Sequence, residues 1–165
     1  LIERDGSGLA VRGKDGLLVI AGKPSRFVLQ QWLTADGDGR QPDDPSLRKG
    51  AACDPRGCVL MTREGHSIAY AQERLAIIED CRRADVVVTP IPWTAACRAR
   101  LIDRMTLQRD GATALVRTRS GWQNHAAQDA GDRPWSRRRP EPAQIPASTA
   151  APPPGEEAPD AERLP

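Results

Sequence analysis

Aromatic side chains are scarce in this 165-residue chain: one Phe, one Tyr and four Trp, so any core must rest on aliphatic residues. Histidine is scarcer, with only His66 and His125. Dinuclear metal hydrolysis needs several His and carboxylate ligands around two cations before bound water ionises near neutral pH, and two histidines fall short of that set. His66 reads as a solvated turn residue and His125 as part of a polar loop. No run reaches the roughly 20 apolar residues of a membrane span, and no basic-then-apolar leader opens the chain. It begins at Leu1 and goes directly into strand-like sequence, which is expected of a fragment of something longer. No phosphate cradle is present either, because "DGSG" and "DGDG" lack the following Lys-bearing helix of a P-loop. Lysine is rare: Lys14, Lys23 and Lys49 are three of 24 cations, which leaves 21 Arg.

What remains is 39% apolar content, enough for one modest core. Residues 140–165 do not belong to it. That stretch carries eight Pro, five acidic side chains and one Arg, so it is expected to be a disordered tail with a net charge of −4. Residues 1–139 carry 23 Lys and Arg against 17 Asp and Glu, a net +6, and form the expected domain. A basic, Arg-rich domain points to a nucleic-acid or membrane-surface partner, although abundant Pro and Ala fit a GC-rich coding bias that also favours Arg.

Turn chemistry and periodicity give the elements. "GLAVRG" and "LLVIAG" are short apolar runs split by Lys14-Asp15-Gly16, a hairpin signal. "PSRFVLQQWLTADG" spaces Phe27, Val28, Gln31, Trp32 and Ala35 on one helical face and stops at Gly37. After a polar loop, "CVLMTREGHSIAYAQ" predicts a second hairpin around Glu64-Gly65. "ERLAIIEDCRRA" reads as an amphipathic helix with Leu75 and Ile78 on its apolar side and Arg82 at the border. It leads into "DVVVTP", a short strand buried on both faces, followed by a strand at "RLIDRM", a turn at Arg109-Asp110-Gly111 and a strand at "ATALVRT". The alternation favours a sheet backed by helices, α/β or α+β.

Cys53, Cys58, Cys81 and Cys97 form an even set, open to three readings. They could make two disulfides, with the "CDPRGC" loop suited to a local bridge. They could make a four-thiolate zinc site, for which Cys81 and Cys97 lack knuckle spacing. They could also be buried free thiols. Asp80 and Asp103 are candidate site carboxylates, with capping or strand-edge roles as the plainer account. Trp93 and Trp122 fall in loops, where an indole stacks on a base or packs over the core edge. "DRPWSRRR" sets Trp135 beside Arg137, Arg138 and Arg139, a pattern suited to single strands or anionic lipid, or simply a solvated basic stub.

The order of "DGSGLAVRGKDGLLVIAG", "FVLQQWLTADGD", "CDPRGC", "EDCRRADVVVTPIP", "RLIDRMTLQRDGATAL" and "GDRPW", over about residues 5 to 136, resembles the C-terminal soluble region of ComEC-type DNA-uptake proteins as found in alphaproteobacteria. In that family a membrane channel carries single-stranded DNA inward during natural transformation, and the C-terminal region is related to the metallo-β-lactamase fold. The resemblance implies a degenerate metallo-β-lactamase-like sheet backed by helices. The His-bearing loop of active relatives is "TPIPW" here, and no His lies between Trp32 and Cys53, where the main metal motif is sought. The implied domain needs no cofactor, faces the periplasm from a protein of the inner membrane, and favours the disulfide reading. Its implied partners are single-stranded DNA, the channel portion of the same protein and other competence machinery. Arg12, Arg117, Arg119, Trp135 and Arg137 to Arg139 are the candidate DNA contacts. The competing expectations are a purely structural domain that never touches DNA, and a residual metal-dependent nuclease.

Overall fold

A computed structural model describes residues 1–126, and its first device is the hairpin announced by Asp15-Gly16. Strands β1 (Gly8–Arg12) and β2 (Leu18–Gly22) pair antiparallel, with Arg12 opposite Leu18, and Gly16 takes the positive φ of 83° that the turn requires. Ser25 then caps helix α1 (Arg26–Asp36): its side chain accepts the Val28 N–H at 3.3 Å, and Gly37 closes the far end in the left-handed conformation. A 3-10 turn at Pro45–Arg48 follows.

Strands β3 (Ala51–Asp54), β4 (Gly57–Met61) and β5 (Ser67–Ala71) form an antiparallel meander. Helix α2 (Arg74–Arg83) crosses over to β6 (Val86–Val88), which lies parallel to β5. A second crossover brings β7 (Arg100–Ile102) parallel to β6, completing one mixed sheet in the order β3-β4-β5-β6-β7. Helix α3 (Arg104–Asp110) and a last hairpin, β8 (Thr113–Thr118) with β9 (Gly121–Ala126), end the described chain. The first and last hairpins meet through one residue. Ile2 bridges Leu9 on one side and Thr113 on the other, its N–H donating to the Thr113 carbonyl at 2.8 Å and its carbonyl accepting from the Thr113 N–H at 3.1 Å.

Three buried clusters set the layers. Ile2, Leu9, Val19 and Ala21 of the hairpin side meet Leu60, Ile68, Tyr70, Val86, Val88 and Ile102 of the five-stranded sheet. On the outer face of the first hairpin, Ala10, Leu18 and Ile20 pack under Leu29 and Leu33 of α1. On the outer face of the larger sheet, Ala69, Ala71 and Val87 pack under Ile77 and Cys81 of α2. The order is therefore helix, hairpins, sheet, helix, a mixed α+β fold with strands between helices. It explains why "VVV" is apolar throughout: Val86 and Val88 face one layer and Val87 the other, each at most 1% exposed.

Tyr70 pins the centre. Its ring is 2% exposed, and its hydroxyl donates to the carbonyls of Gly6 at 3.1 Å and Ser7 at 2.9 Å. Gly22 leaves room for it. At φ 73°, a Cβ there would stand 2.4 Å from the Ser7 carbonyl oxygen and 2.8 Å from the Tyr70 ring.

Several local expectations change. Phe27 is 73% exposed, so α1 does not bury the Phe27 face; Leu29 and Leu33, four residues apart, take its place. Leu75 and Ile78 are likewise exposed on α2, while Ile77 and Cys81 are buried. The segment read as the strand "RLIDRM" is a strand only to Ile102. Asp103 then starts α3, its Oδ1 accepting the Thr106 N–H at 2.9 Å and the Thr106 hydroxyl at 2.7 Å, while its Oδ2 takes the Trp93 N–H at 3.0 Å. Burial works to raise the Asp103 pKa, but these hydrogen bonds hold it below the usual carboxylate range. A depressed folded pKa stabilises above the unfolded value near pH 4, and that support is lost as pH falls through the folded value. We predict that Asp103→Ala costs about 1–2 kcal/mol by urea unfolding at neutral pH, and much less at pH 2. An equal cost at both values would show that the charge is immaterial. Trp135, Arg137 to Arg139 and the 140–165 tail lie outside the described residues.

Candidate nucleic-acid interface

The loop after β6 comes first, because open α/β sheets bind ligands beyond such strand ends. Here the edge is filled by packing. Thr89 is fully buried and its hydroxyl accepts the Ile91 N–H at 3.2 Å, while Ile91, Trp93 and Cys97 fold back over the α2 layer. The loop is fastened there by the Cys81–Cys97 disulfide; Cys53 and Cys58, directly opposite one another on β3 and β4, form the second bridge. All four cysteines are thus paired, which takes up the thiolates of the zinc reading.

Nearby polar side chains are committed to structural roles. Ser67 donates its N–H and hydroxyl to Asp85 Oδ2 at 2.8 and 2.9 Å, and His66 Nδ1 lies 3.8 Å from Asp85 Oδ1. Serine, carboxylate and imidazole are therefore close, but the serine hydroxyl meets the carboxylate rather than the imidazole, which is not the serine–histidine–carboxylate order of an activated nucleophile. The Ser67 hydrogen bonds, with the His66 charge adding less, hold the Asp85 carboxyl below its ordinary range. Asp80 lies beside a shallow cavity of about 390 Å³ shared with Asp54 and Glu79. Burial first, then the charges of Glu79 and Asp54, push its pKa up. Among the described residues, no group of three or more His, Cys, Asp or Glu is arranged to hold a metal ion, and no helix is long and apolar enough to cross a membrane.

The larger cavity, about 560 Å³, opens between α1 with the first hairpin and the β8–β9 hairpin. Trp32 and Trp122 both line it, each half-buried, as do Arg12 and Arg117. The Arg117 guanidinium lies over the Trp122 ring at 5.7 Å, and His66 meets the same ring edge-on at 5.3 Å. Arg117 has no carboxylate within ion-pair distance among the described residues, whereas Arg12 is paired with Asp36. That hydrogen bond, with the Asp36 charge, raises the Arg12 pKa. Arg119 sits in the exposed turn between β8 and β9, off the cavity wall. The walls thus combine two indoles, one stacked guanidinium, apolar side chains and two carboxylates, Asp36 beside Arg12 and Glu64; elsewhere, paired indoles with a guanidinium are the groups on which bases stack and phosphates rest.

The sequence pairs Arg12 and Arg117 as candidates, and the fold brings both to one cleft. It does not bring Trp93 there; that indole packs over the Cys97 layer with the Arg74 guanidinium 6.0 Å above its ring. Trp32, expected on the core face of α1, is the wall residue missed. Nothing in its own segment signals the role, because the cleft exists only once β8 and β9, some eighty residues on, lie opposite it. Compared with protein-family models, curated proteins and solved structures, the chain matches none.

Proposed function

We propose that this domain binds single-stranded nucleic acid without chemistry of its own, as the soluble part of a ComEC-type DNA-uptake protein. In that role it guides the strand beside the membrane channel from the periplasmic side. The observation that carries the proposal is the cleft in which Trp32 and Trp122 share walls with Arg117, which has no carboxylate partner among the described residues. A sheet enclosed between helices supports the metallo-β-lactamase-like expectation. Two disulfides support an oxidising compartment.

The test is fluorescence anisotropy of a labelled oligothymidylate with the oxidised full chain over a range of salt. Binding is expected to weaken as salt rises, and Trp122→Ala with Arg117→Ser to lower affinity about 10-fold or more, since stacking is worth about 1–3 kcal/mol per base. Absence of salt-dependent affinity in the unaltered chain would overturn the proposal. It would favour the structural alternative, in which the apolar share of the same cleft seats the channel portion.

A further inference from the structure

Helix α2 sorts charge between its two flanks. Toward β3 and β4 it presents Glu79 and Asp80. Its other exposed row, at four-residue spacing, is Arg74, Ile78 and Arg82, about 12 Å long at 1.5 Å per residue. The row continues past the helix because the second crossover is tied to it. Cys81 and Cys97 have their Cα atoms 4.8 Å apart, and the N–H groups of Arg98 and Ala99 both donate to the Cys81 carbonyl at 3.2 Å. Arg82 and Arg98 therefore follow directly on the two ends of one clamp. The chain bends through Arg98, exposed, and Ala99, half-buried, before β7 begins; there the Arg100 N–H donates to the Asp85 carbonyl at 2.9 Å, and the pairing of Arg100 with Val86 turns it to the sheet face opposite α2.

Among the described residues, Arg74, Arg82, Arg98 and Arg100 have no carboxylate within ion-pair distance, although acids are close in sequence. Those acids are engaged elsewhere: Glu73 with Arg56, Glu79 with Arg83, and Asp85 with Ser67 and His66. Of these, Arg74, Arg82 and Arg98 belong to the α2 side, and such like charges repel one another until an added polyanion relieves the repulsion.

We infer that the strip Arg74, Ile78, Arg82 and Arg98 is a second contact for single-stranded nucleic acid, separate from the Trp32–Trp122 cleft, none of whose walls it supplies. This rests on the nucleic-acid role proposed above. The cations are all Arg, whose planar fork matches phosphate oxygens, and the chain's three Lys lie elsewhere. Exposed Ile78 and Leu75 supply apolar surface for base faces between the guanidiniums.

The experiment compares three variants of the oxidised full chain for binding to fluorescein-labelled oligothymidylate over a salt series. The first carries Arg74→Ser, Arg82→Ser and Arg98→Ser. The second carries Arg4→Ser, Lys14→Ser and Arg63→Ser, an equal loss of charge from exposed positions off the strip. The third is the cleft variant, Trp122→Ala with Arg117→Ser. The strip variant is expected to bind about tenfold more weakly, with the salt slope reduced by about 2, and the control to change little. Equal losses in strip and control variants would reduce the strip to net charge and overturn it. A strip variant that binds like the unaltered chain, while the cleft variant fails, would overturn the strip and leave the proposed function standing. No binding by the unaltered chain would overturn both. Strip-dependent binding to phosphatidylglycerol vesicles without strip-dependent binding to the oligonucleotide would assign the surface to a membrane instead.

Discussion

Tyr70→Ala is expected to lower the free energy of unfolding by about 3–5 kcal/mol, the cost of removing a fully buried aromatic ring, and to take the hydroxyl from the Gly6 carbonyl, while the Ser7 carbonyl keeps the Lys23 N–H at 2.7 Å. The ring lies where hairpin side and sheet meet, and its hydroxyl ties the Gly6–Ser7 turn to β5 across more than sixty residues of chain. Tyr70→Phe separates the two contributions, keeping the ring and losing the hydrogen bonds, with an expected cost of about 1–3 kcal/mol. Burial, only partly offset by a hydrogen bond with Gln72, raises the Tyr70 pKa. Its contribution is therefore fully present below about pH 10 and lost as pH rises through the folded value. Urea unfolding of the oxidised protein, followed by circular dichroism, measures both variants. Equal losses for Phe and Ala would put the whole effect in the hydrogen bonds, and no loss for Phe would put it in the ring.

The second large effect belongs to the disulfides, which are unequal. Cys81 and Cys97 are 16 residues apart, and Cys53 and Cys58 only 5. Closing the longer loop restricts the unfolded chain more, so the Cys81→Ala, Cys97→Ala pair is expected to cost about 3 kcal/mol and the Cys53→Ala, Cys58→Ala pair about 2. For a domain of this size the first corresponds to a fall in Tm of about 10 °C. Cys81 is also buried against Ile77 and Val87, so its removal opens space in the α2 layer, whereas Cys53 is exposed on β3. Differential scanning calorimetry of the two double variants checks the order. A larger loss from the Cys53–Cys58 pair would mean that native packing around the hairpin, rather than the length of the closed loop, sets the contribution.

Elements with a local signature were legible in the sequence. Asp15-Gly16 fixed a hairpin, Ser25 and Gly37 bracketed α1, and three valines marked a strand covered on both faces. Helix faces were less legible because both helices have more apolar residues than they bury. In α2 the run Leu75-Ala76-Ile77-Ile78 covers most of a turn, so periodicity alone chooses poorly, and the clamp at Cys81 decides which side turns inward. In α1 the bulk of Phe27 drew the face toward itself, although Leu29 and Leu33 make the stripe that reaches the hairpin. Helix α3 was hidden because "RLIDRM" is equally compatible with a strand, and its capping signal, Asp103 three residues before Thr106, carries no Glu or Gln to strengthen it. Strand β9 was invisible for another reason: "GWQNHA" has no apolar alternation, and it extends because β8 offers it a partner.

At the site, the candidates Arg12 and Arg117 reach the same cleft, yet their fates differ because Asp36, at the end of α1, neutralises one and leaves the other beside an indole. Sequence spacing carries no information on that difference. It depends on a contact between residues 24 positions apart.

The single-residue bridge at Ile2 has a mechanical consequence. The β8–β9 hairpin forms one wall of the cleft and is joined to the other through one pair of backbone hydrogen bonds, with the side chains of Leu115 and Trp122 resting on the core. The seam between the two walls is thus mostly side-chain packing, and the buried Ile2 is the one place where backbone pairing ties them. A substitution that disturbs this single residue acts on both hairpins at once, although neither loses a hydrogen bond of its own ladder.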